Sequence, residues 1–279
     1  MHEVKLAMSA GFCFGVERAV KMAVSALDEF GEPVYTLGPI IHNPQEVLRL
    51  QDMGIRMAKT LEDIPEGTVV IRSHGAPRGV IEEAEQKGLN VIDATCPLVQ
   101  QLTERVRELA DEGYQIVIVG ESDHPEVMAV LSYAPGSCLV TRGPESVGPE
   151  NLSRRVGLVA QTTQSLENLQ AVASHCICHC REVRTYNTIC QATHKRGAEA
   201  LELAGQVDVM IVVGGKNSAN TTRLAQAVAM GGTKTYHIES AAELSDLEIP
   251  LGVPIGVTAG ASTPGWVINE VVSALKSMD

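Results

Sequence analysis

Three cysteines stand at matched places in the chain. Cys13 closes the run Val4-Lys5-Leu6-Ala7-Met8-Ser9-Ala10-Gly11-Phe12-Cys13, and a helical stretch follows from Val16. Cys96 closes Val91-Ile92-Asp93-Ala94-Thr95-Cys96 before a helical stretch from Leu98, and Cys190 closes Tyr186-Asn187-Thr188-Ile189-Cys190 before one from Gln191. The intervals are 83 and 94 residues, and 102 from Cys190 through the termini to Cys13. A thiol at a helix start meets unpaired N–H groups and the positive end of the helix dipole, and both favour the thiolate. Three such thiolates, one per repeat, suit a shared inorganic centre of zinc, copper(I) or iron and sulfide. Zinc usually takes a close ligand pair, and none of the three cysteines belongs to one. An iron–sulfur cluster on three protein thiolates would leave one iron open for substrate.

Each interval carries two further polar junctions. They are Gly38–Pro44 and Arg72–Pro77, then Gly120–Glu126 and Gln161–Ser165, then Gly214–Asn220 and Ala259–Pro264. His42, His74 and His124 occupy three of these turns, each near a Pro. With Thr162, Thr163, Ser218, Asn220 and Ser262 they offer neutral hydrogen-bond donors, to which helix starts add backbone N–H groups. That combination suits a phosphate or diphosphate. Ser, Thr and Asn are also preferred helix caps, so each has a bland explanation alone. Glu126 follows His124 and Pro125 at a helix start, where the dipole favours any carboxylate. Among neutral donors it is the one carboxylate, which makes it the natural proton carrier.

The elements that must position these residues alternate. Short β-branched runs (Val69–Ile71, Val91-Ile92, Ile116–Val119, Val156–Val159, Val209–Val213, Ile255–Val257) are separated by helical periodicity over 16–29, 45–53, 80–87, 98–112, 165–173, 192–204, 222–230 and 265–276. Such alternation predicts an α/β fold with mainly parallel sheets. The repeat predicts three similar α/β lobes in a pseudo-threefold, trefoil arrangement around a central cluster site. Their expected bounds are 14–96, 97–190, and 191–279 with 1–13. Strand carboxyl ends, where such sheets bind ligands, would face that centre.

Composition narrows the function. The chain has 279 residues, 44% hydrophobic and 20% charged, so it is globular rather than disordered. A net charge of −12 and only 3% aromatic residues argue against a nucleic-acid binder. Apolar runs such as Val209–Val213 are too short to span a bilayer. The start at Met1-His2-Glu3-Val4-Lys5 lacks the order of a signal peptide, which predicts the cytoplasm. In that reducing compartment seven cysteines read as thiols or ligands rather than disulfides. The absence of G-x-G-x-x-G, G-x-x-x-x-G-K-[ST] and H-E-x-x-H removes support from nicotinamide, P-loop and zinc-hydrolase readings.

The run His175-Cys176-Ile177-Cys178-His179-Cys180 looks like a metal site. On a strand its Cys-x-Cys spacing would put both thiols on one face, yet the partner half of a zinc motif is missing. It reads mainly as incidental, with an auxiliary metal or redox role as the alternative. Cys138 reads as structural.

Taken together, Ala10-Gly11-Phe12-Cys13-Phe14-Gly15-Val16, Asp93-Ala94-Thr95-Cys96-Pro97, Asn187-Thr188-Ile189-Cys190-Gln191-Ala192-Thr193, Asn217-Ser218-Ala219-Asn220 and Thr258-Ala259-Gly260-Ala261-Ser262-Thr263-Pro264 resemble the 4-hydroxy-3-methylbut-2-enyl diphosphate reductase family. The likeness runs from about residue 4 to 270. It implies a monomeric three-lobed enzyme with an oxygen-sensitive [4Fe–4S] cluster on Cys13, Cys96 and Cys190. It also implies diphosphate binding by His42, His74, His124, Ser218, Asn220 and Ser262. Thr162 would lie near the substrate hydroxyl, and Glu126 would donate protons. The implied reaction is a two-electron, two-proton reductive dehydroxylation to isopentenyl and dimethylallyl diphosphate, the last step of the methylerythritol phosphate pathway. A ferredoxin or flavodoxin would supply the electrons. Ala219 stands where many members have Ser or Gly. The competing reading, a cluster carrier or electron-transfer protein without this substrate, would not need the His, Ser, Thr and Asn set.

Overall fold

The computed structural model describes residues 2–31, 33–134 and 136–278; Met1, Glu32, Pro135 and Asp279 lie outside the described residues. The chain begins β1 (Val4–Leu6), α1 (Phe14–Phe30), β2 (Val34–Leu37), α2 (Pro44–Asp52), β3 (Ile55–Ala58), β4 (Thr68–Ile71), α3 (Arg78–Gln86) and β5 (Asn90–Asp93). It continues α4 (Pro97–Asp111), β6 (Gln115–Val119), α5 (Pro125–Leu131), β7 (Cys138–Thr141), β8 (Arg155–Ala160), α6 (Leu166–His179) and β9 (Glu182–Thr185). It ends α7 (Gln191–Ala204), β10 (Val209–Val213), α8 (Ala219–Met230), β11 (Lys234–Ile238), β12 (Ile255–Ala259) and α9 (Gly265–Ser277).

The strands form three four-stranded sheets, all with parallel pairing: β3-β2-β4-β5, β7-β6-β8-β9 and β1-β12-β10-β11. The expected α/β class with parallel sheets is therefore observed, three times over. By compactness the chain divides into two units. Unit 1 comprises Met1–Glu17, Ile41–Met53 and Gln191–Asp279; unit 2 comprises Arg18–Ile40 and Gly54–Cys190. Unit 1 contains the β1-β12-β10-β11 sheet, and unit 2 contains the other two.

Central strands are continuous apolar runs because both their faces are covered. In unit 1, Val209, Ile211 and Val213 of β10 pack with Val267, Ile268 and Val271 of α9. The alternate residues Met210 and Val212 pack on the other face with Leu203 of α7 and Leu224 and Val228 of α8. In unit 2, Ile116 and Ile118 of β6 meet Leu102, Val106 and Leu109 of α4, while Val117 and Val119 meet Leu169 and Val172 of α6. Each such side chain contributes roughly 1.5–3 kcal/mol by leaving water.

Three local expectations are corrected. Cys176 and Cys178 lie on a helix, since α6 runs to His179 with Cys180 as its cap. Leu169, Val172 and Cys176 form its buried stripe, whereas Cys178 is exposed. The helical period therefore separates the two thiols that a strand would have aligned. The run 186–190, expected as a strand like those before Cys13 and Cys96, is not one; β9 precedes it, and the Thr188 side chain bonds both the N–H and the C=O of Ala160. The strands β2, β3, β7, β9 and β11 were not singled out from the sequence. All but β2 are sheet edges, where half-buried residues break the apolar run.

Close packing of α4 on β8 leaves no room at Gly157. A Cβ there would stand 2.8 Å from Cδ1 of Leu109, a side chain with 0% exposure. Gly157→Ala is expected to lower stability by about 1–3 kcal/mol through overpacking, measured by urea unfolding.

Candidate functional site

In unit 2 the site grows from two adjacent strand ends. After β6 the chain turns so that His124 caps α5, and its Nδ1 accepts the N–H of Glu126 at 3.2 Å. With Nδ1 acting as acceptor, the neutral ring carries its proton on Nε2 and presents an N–H donor there. Glu126, in the first turn of α5, is 1% exposed. Its carboxyl is held by one residue: Thr162 donates its backbone N–H to Oε1 at 2.6 Å and its hydroxyl to Oε2 at 2.7 Å. Burial raises the Glu126 pKa above its ordinary value, and the two Thr162 hydrogen bonds only partly oppose this. The result is a carboxyl that keeps its proton longer than a surface glutamate.

Thr162 also reaches the third cysteine. Its carbonyl accepts the Cys190 N–H at 2.7 Å. The second cysteine is placed from the neighbouring sheet: Cys96 caps α4, and its N–H donates to Ser73 O at 2.9 Å. The next residue, His74, lies edge-to-face with His124, ring centroids 5.4 Å apart. Gly75 permits this turn, with φ +79° and its N–H bonded to Arg72 O. Unit 2 therefore brings together His74, His124, Glu126, Thr162, Cys96 and Cys190 by local contacts.

Unit 1 holds Cys13, His42, Ser218, Asn220 and Ser262. Cys13 donates its N–H to Ala261 O at 3.1 Å, and the adjacent Ser262 hydroxyl donates to His42 O at 3.3 Å. Gly215 lies so close to His42 O that a Cβ would come within 2.6 Å of it. Ser218 bonds back to Gly215 O and caps α8 through the Thr221 N–H; Ala219 and Asn220 open that helix. The segment bearing His42 is pinned by Glu46 of α2, which accepts from Trp266 Nε1 at 2.9 Å and pairs with Arg49.

Two residues that hold the Cys13 loop were not foreseen. Arg196 of α7 is 4% exposed and donates to Ser9 O at 2.9 Å and Gly11 O at 2.7 Å. One turn on, Glu199 accepts the N–H groups of Met8 and Ser9 at 2.6 and 2.9 Å. In sequence they are an ordinary i,i+3 pair on a helix, and their targets lie about 190 residues away.

Cys13, Cys96 and Cys190 are half-buried and none is in a disulfide. Cys176 differs: burial pushes its thiol up to about 11, which marks it as a core residue. Among the described residues no group of three or more His, Cys, Asp or Glu side chains is gathered to hold a single metal ion. No described helix is long and apolar enough to cross a membrane.

The three parallel sheets define the class, an α/β protein, with thiols at helix starts and a buried carboxyl as its candidate active site. The model of the family described as LytB protein matches residues 4–276. A 4-hydroxy-3-methylbut-2-enyl diphosphate reductase from Geobacter sulfurreducens is 50% identical over 279 residues, covering 99% of this chain and 98% of the relative. One of the same description from Pelobacter propionicus is 49% identical over 272 residues, covering 98% and 97%. A solved structure of (E)-4-hydroxy-3-methyl-but-2-enyl diphosphate reductase, described as the terminal enzyme of the non-mevalonate pathway, is 46% identical with TM-score 0.78, each chain covered in full. The corresponding Plasmodium falciparum reductase superposes with TM-score 0.87 at 27% identity, covering 99% of this chain and 88% of that one. The chain belongs to the LytB family of 4-hydroxy-3-methylbut-2-enyl diphosphate reductases.

The Glu126 environment sets a pH signature. Its folded-state pKa is raised above the usual 4.5. Below that value both folded and unfolded states are protonated, and the residue costs nothing. As pH rises, the unfolded chain ionises first, and stability falls. Glu126→Gln keeps the shape and removes the ionisation. Its melting temperature is expected to match wild type at about pH 4 and to exceed it increasingly toward about pH 8, read by calorimetry.

Proposed function

We propose that the chain reduces 4-hydroxy-3-methylbut-2-enyl diphosphate with two electrons and two protons. The hydroxyl leaves as water, and isopentenyl and dimethylallyl diphosphate are the products. The observation that carries the reading is the buried Glu126–Thr162 pair tied directly to Cys190. A carrier of clusters has no use for a buried carboxyl held in this way.

The cysteines fit a [4Fe–4S] cluster by their chemistry. Cys13, Cys96 and Cys190 each immediately precede a helix or cap its start, and they are partly exposed thiols outside any disulfide. In such a cluster each thiolate bonds a different iron, so its ligands need not crowd as those of a single ion do. When bound, the cluster supplies an open iron for the substrate hydroxyl and a store for the incoming electrons.

The chain's own residues supply protons and orientation. Burial favours the protonated form of Glu126; the Thr162 hydroxyl, 2.7 Å from Oε2, can turn to accept that proton as it gives up its own. His124 offers its Nε2–H, and with His42, His74, Ser218, Asn220 and Ser262 it would bind the diphosphate. Neutral donors suit this task because a fixed array of dipoles needs no reorganisation as charge develops. Ala219, where many members have Ser or Gly, would contribute its backbone N–H at the start of α8.

The lobes are taken as 14–96, 97–190, and 191–279 with 1–13. In support, each four-stranded sheet falls wholly within one lobe. The protein is taken as a cytoplasmic monomer that receives electrons from a ferredoxin or flavodoxin.

Anaerobic turnover with a reduced viologen dye tests the reading. Wild type is expected to release both five-carbon diphosphates; a cluster-loaded protein that oxidises no dye would refute the assignment. Glu126→Gln is expected to bind substrate normally and to lose about 10²–10⁴-fold in kcat. Cys96→Ser is expected to lose iron and sulfide on chemical analysis; full content in an active variant would remove Cys96 from the ligand set.

A further inference from the structure

Each sheet has the same crevice. The chain leaves its first central strand toward one side and returns on the other, so the carboxyl ends of the two central strands form a switch point. Ligands of α/β sheets bind at such points.

Two of the three crevices are filled by neutral side chains whose hydrogen bonds are made. At the ends of β6 and β8, Gln161 packs against Gly120, accepts the Glu121 N–H at 3.1 Å and donates to Thr163 Oγ1 at 2.9 Å. Beyond β10 and β12, Thr263 occupies the space a Cβ on Gly214 would need and donates to Val213 O at 2.9 Å.

The third crevice, at the ends of β2 and β4, carries a charge. Arg72 follows β4, and its guanidinium lies over Gly38, with Nη1 3.1 Å from where a Cβ would stand. The side chain is half-buried, and burial lowers its pKa. No described residue hydrogen-bonds or ion-pairs with its guanidinium. Beside it opens a pocket of about 170 Å³ in which Lys59 is the second cation, with Leu37, Val80 and Met128 among its apolar walls. The neighbouring Asp63 carboxylate is turned onto the backbone N–H groups of Lys59 and Thr60, each at 3.0 Å. His74, His124 and Glu126 do not line the pocket.

A half-buried guanidinium without a carboxylate is costly unless an anion answers it. Two cations at one pocket favour a doubly charged head over a single carboxylate, and a planar fork beside a mobile ammonium suits phosphate oxygens. The apolar walls leave room for a short hydrocarbon chain. We propose that this switch-point pocket is a second ligand site, taking a small phosphate or diphosphate ester with a short apolar tail, with Arg72 as the fork and Lys59 as the point charge.

The test follows the Met128 methyl signal in full-length protein labelled with [methyl-¹³C]methionine and assigned through Met128→Leu. Isopentenyl diphosphate is titrated as the probe. A saturable shift of Met128 in wild type, weakened at least about tenfold in both Arg72→Gln and Lys59→Gln, supports the site. Lys59→Gln keeps the test open should Arg72→Gln fail to fold. A Met128 signal that stays still at millimolar probe overturns the proposal, as does an unchanged response in folded Arg72→Gln. Inorganic diphosphate acting as strongly as the ester would overturn the assignment of the apolar walls. Arg72 and Lys59 lie outside the residues assigned to turnover, so loss of the Met128 response in their variants and loss of turnover are separable results.

Discussion

The hydrogen bonds from Thr162 to Glu126 are the constraint on which the candidate site depends. A carboxyl placed among buried groups ordinarily relaxes toward water or is lost to a neutral residue. Here one threonine satisfies both oxygens, from its backbone and its side chain, and its carbonyl fixes the N–H of Cys190. The carboxyl of Glu126 and the backbone of Cys190 are therefore positioned by the same residue.

Much of this was legible because parallel α/β sheets write their centres in plain apolar runs. β6, β8, β10 and β12 were visible for that reason, as were the polar turns at their ends. The histidine turns, the Cys13, Cys96 and Cys190 junctions and the placement of Glu126 at the start of α5 followed from those turns. The edges were less visible. β7 and β9 are half-buried four-residue strands, and their sequences read like any mixed surface segment.

What the sequence could not display is contact at a distance. Arg196 and Glu199 look like a solvent-facing pair, yet they fasten the backbone at Met8–Gly11. Arg72 reads as one more basic residue in an acidic chain until the crevices are compared. The His175–Cys180 run shows the limit of spacing alone: strand spacing would align Cys176 and Cys178, but helical periodicity sends Cys176 inward and Cys178 outward. Spacing carries meaning only once the period of the backbone is known.

The pairing of β1 with β12 has a consequence for how the chain is made. Val4 lies beside Ile255, so β1 is synthesised long before the strand it pairs with. The sheets of unit 2 draw their strands from residues 34–185 and can be complete well before that partner exists. Until then β1 is an unpaired edge on the nascent chain, followed by the Cys13 loop. The Cys13 loop that follows β1 therefore cannot be anchored by this pairing until β12 has been made.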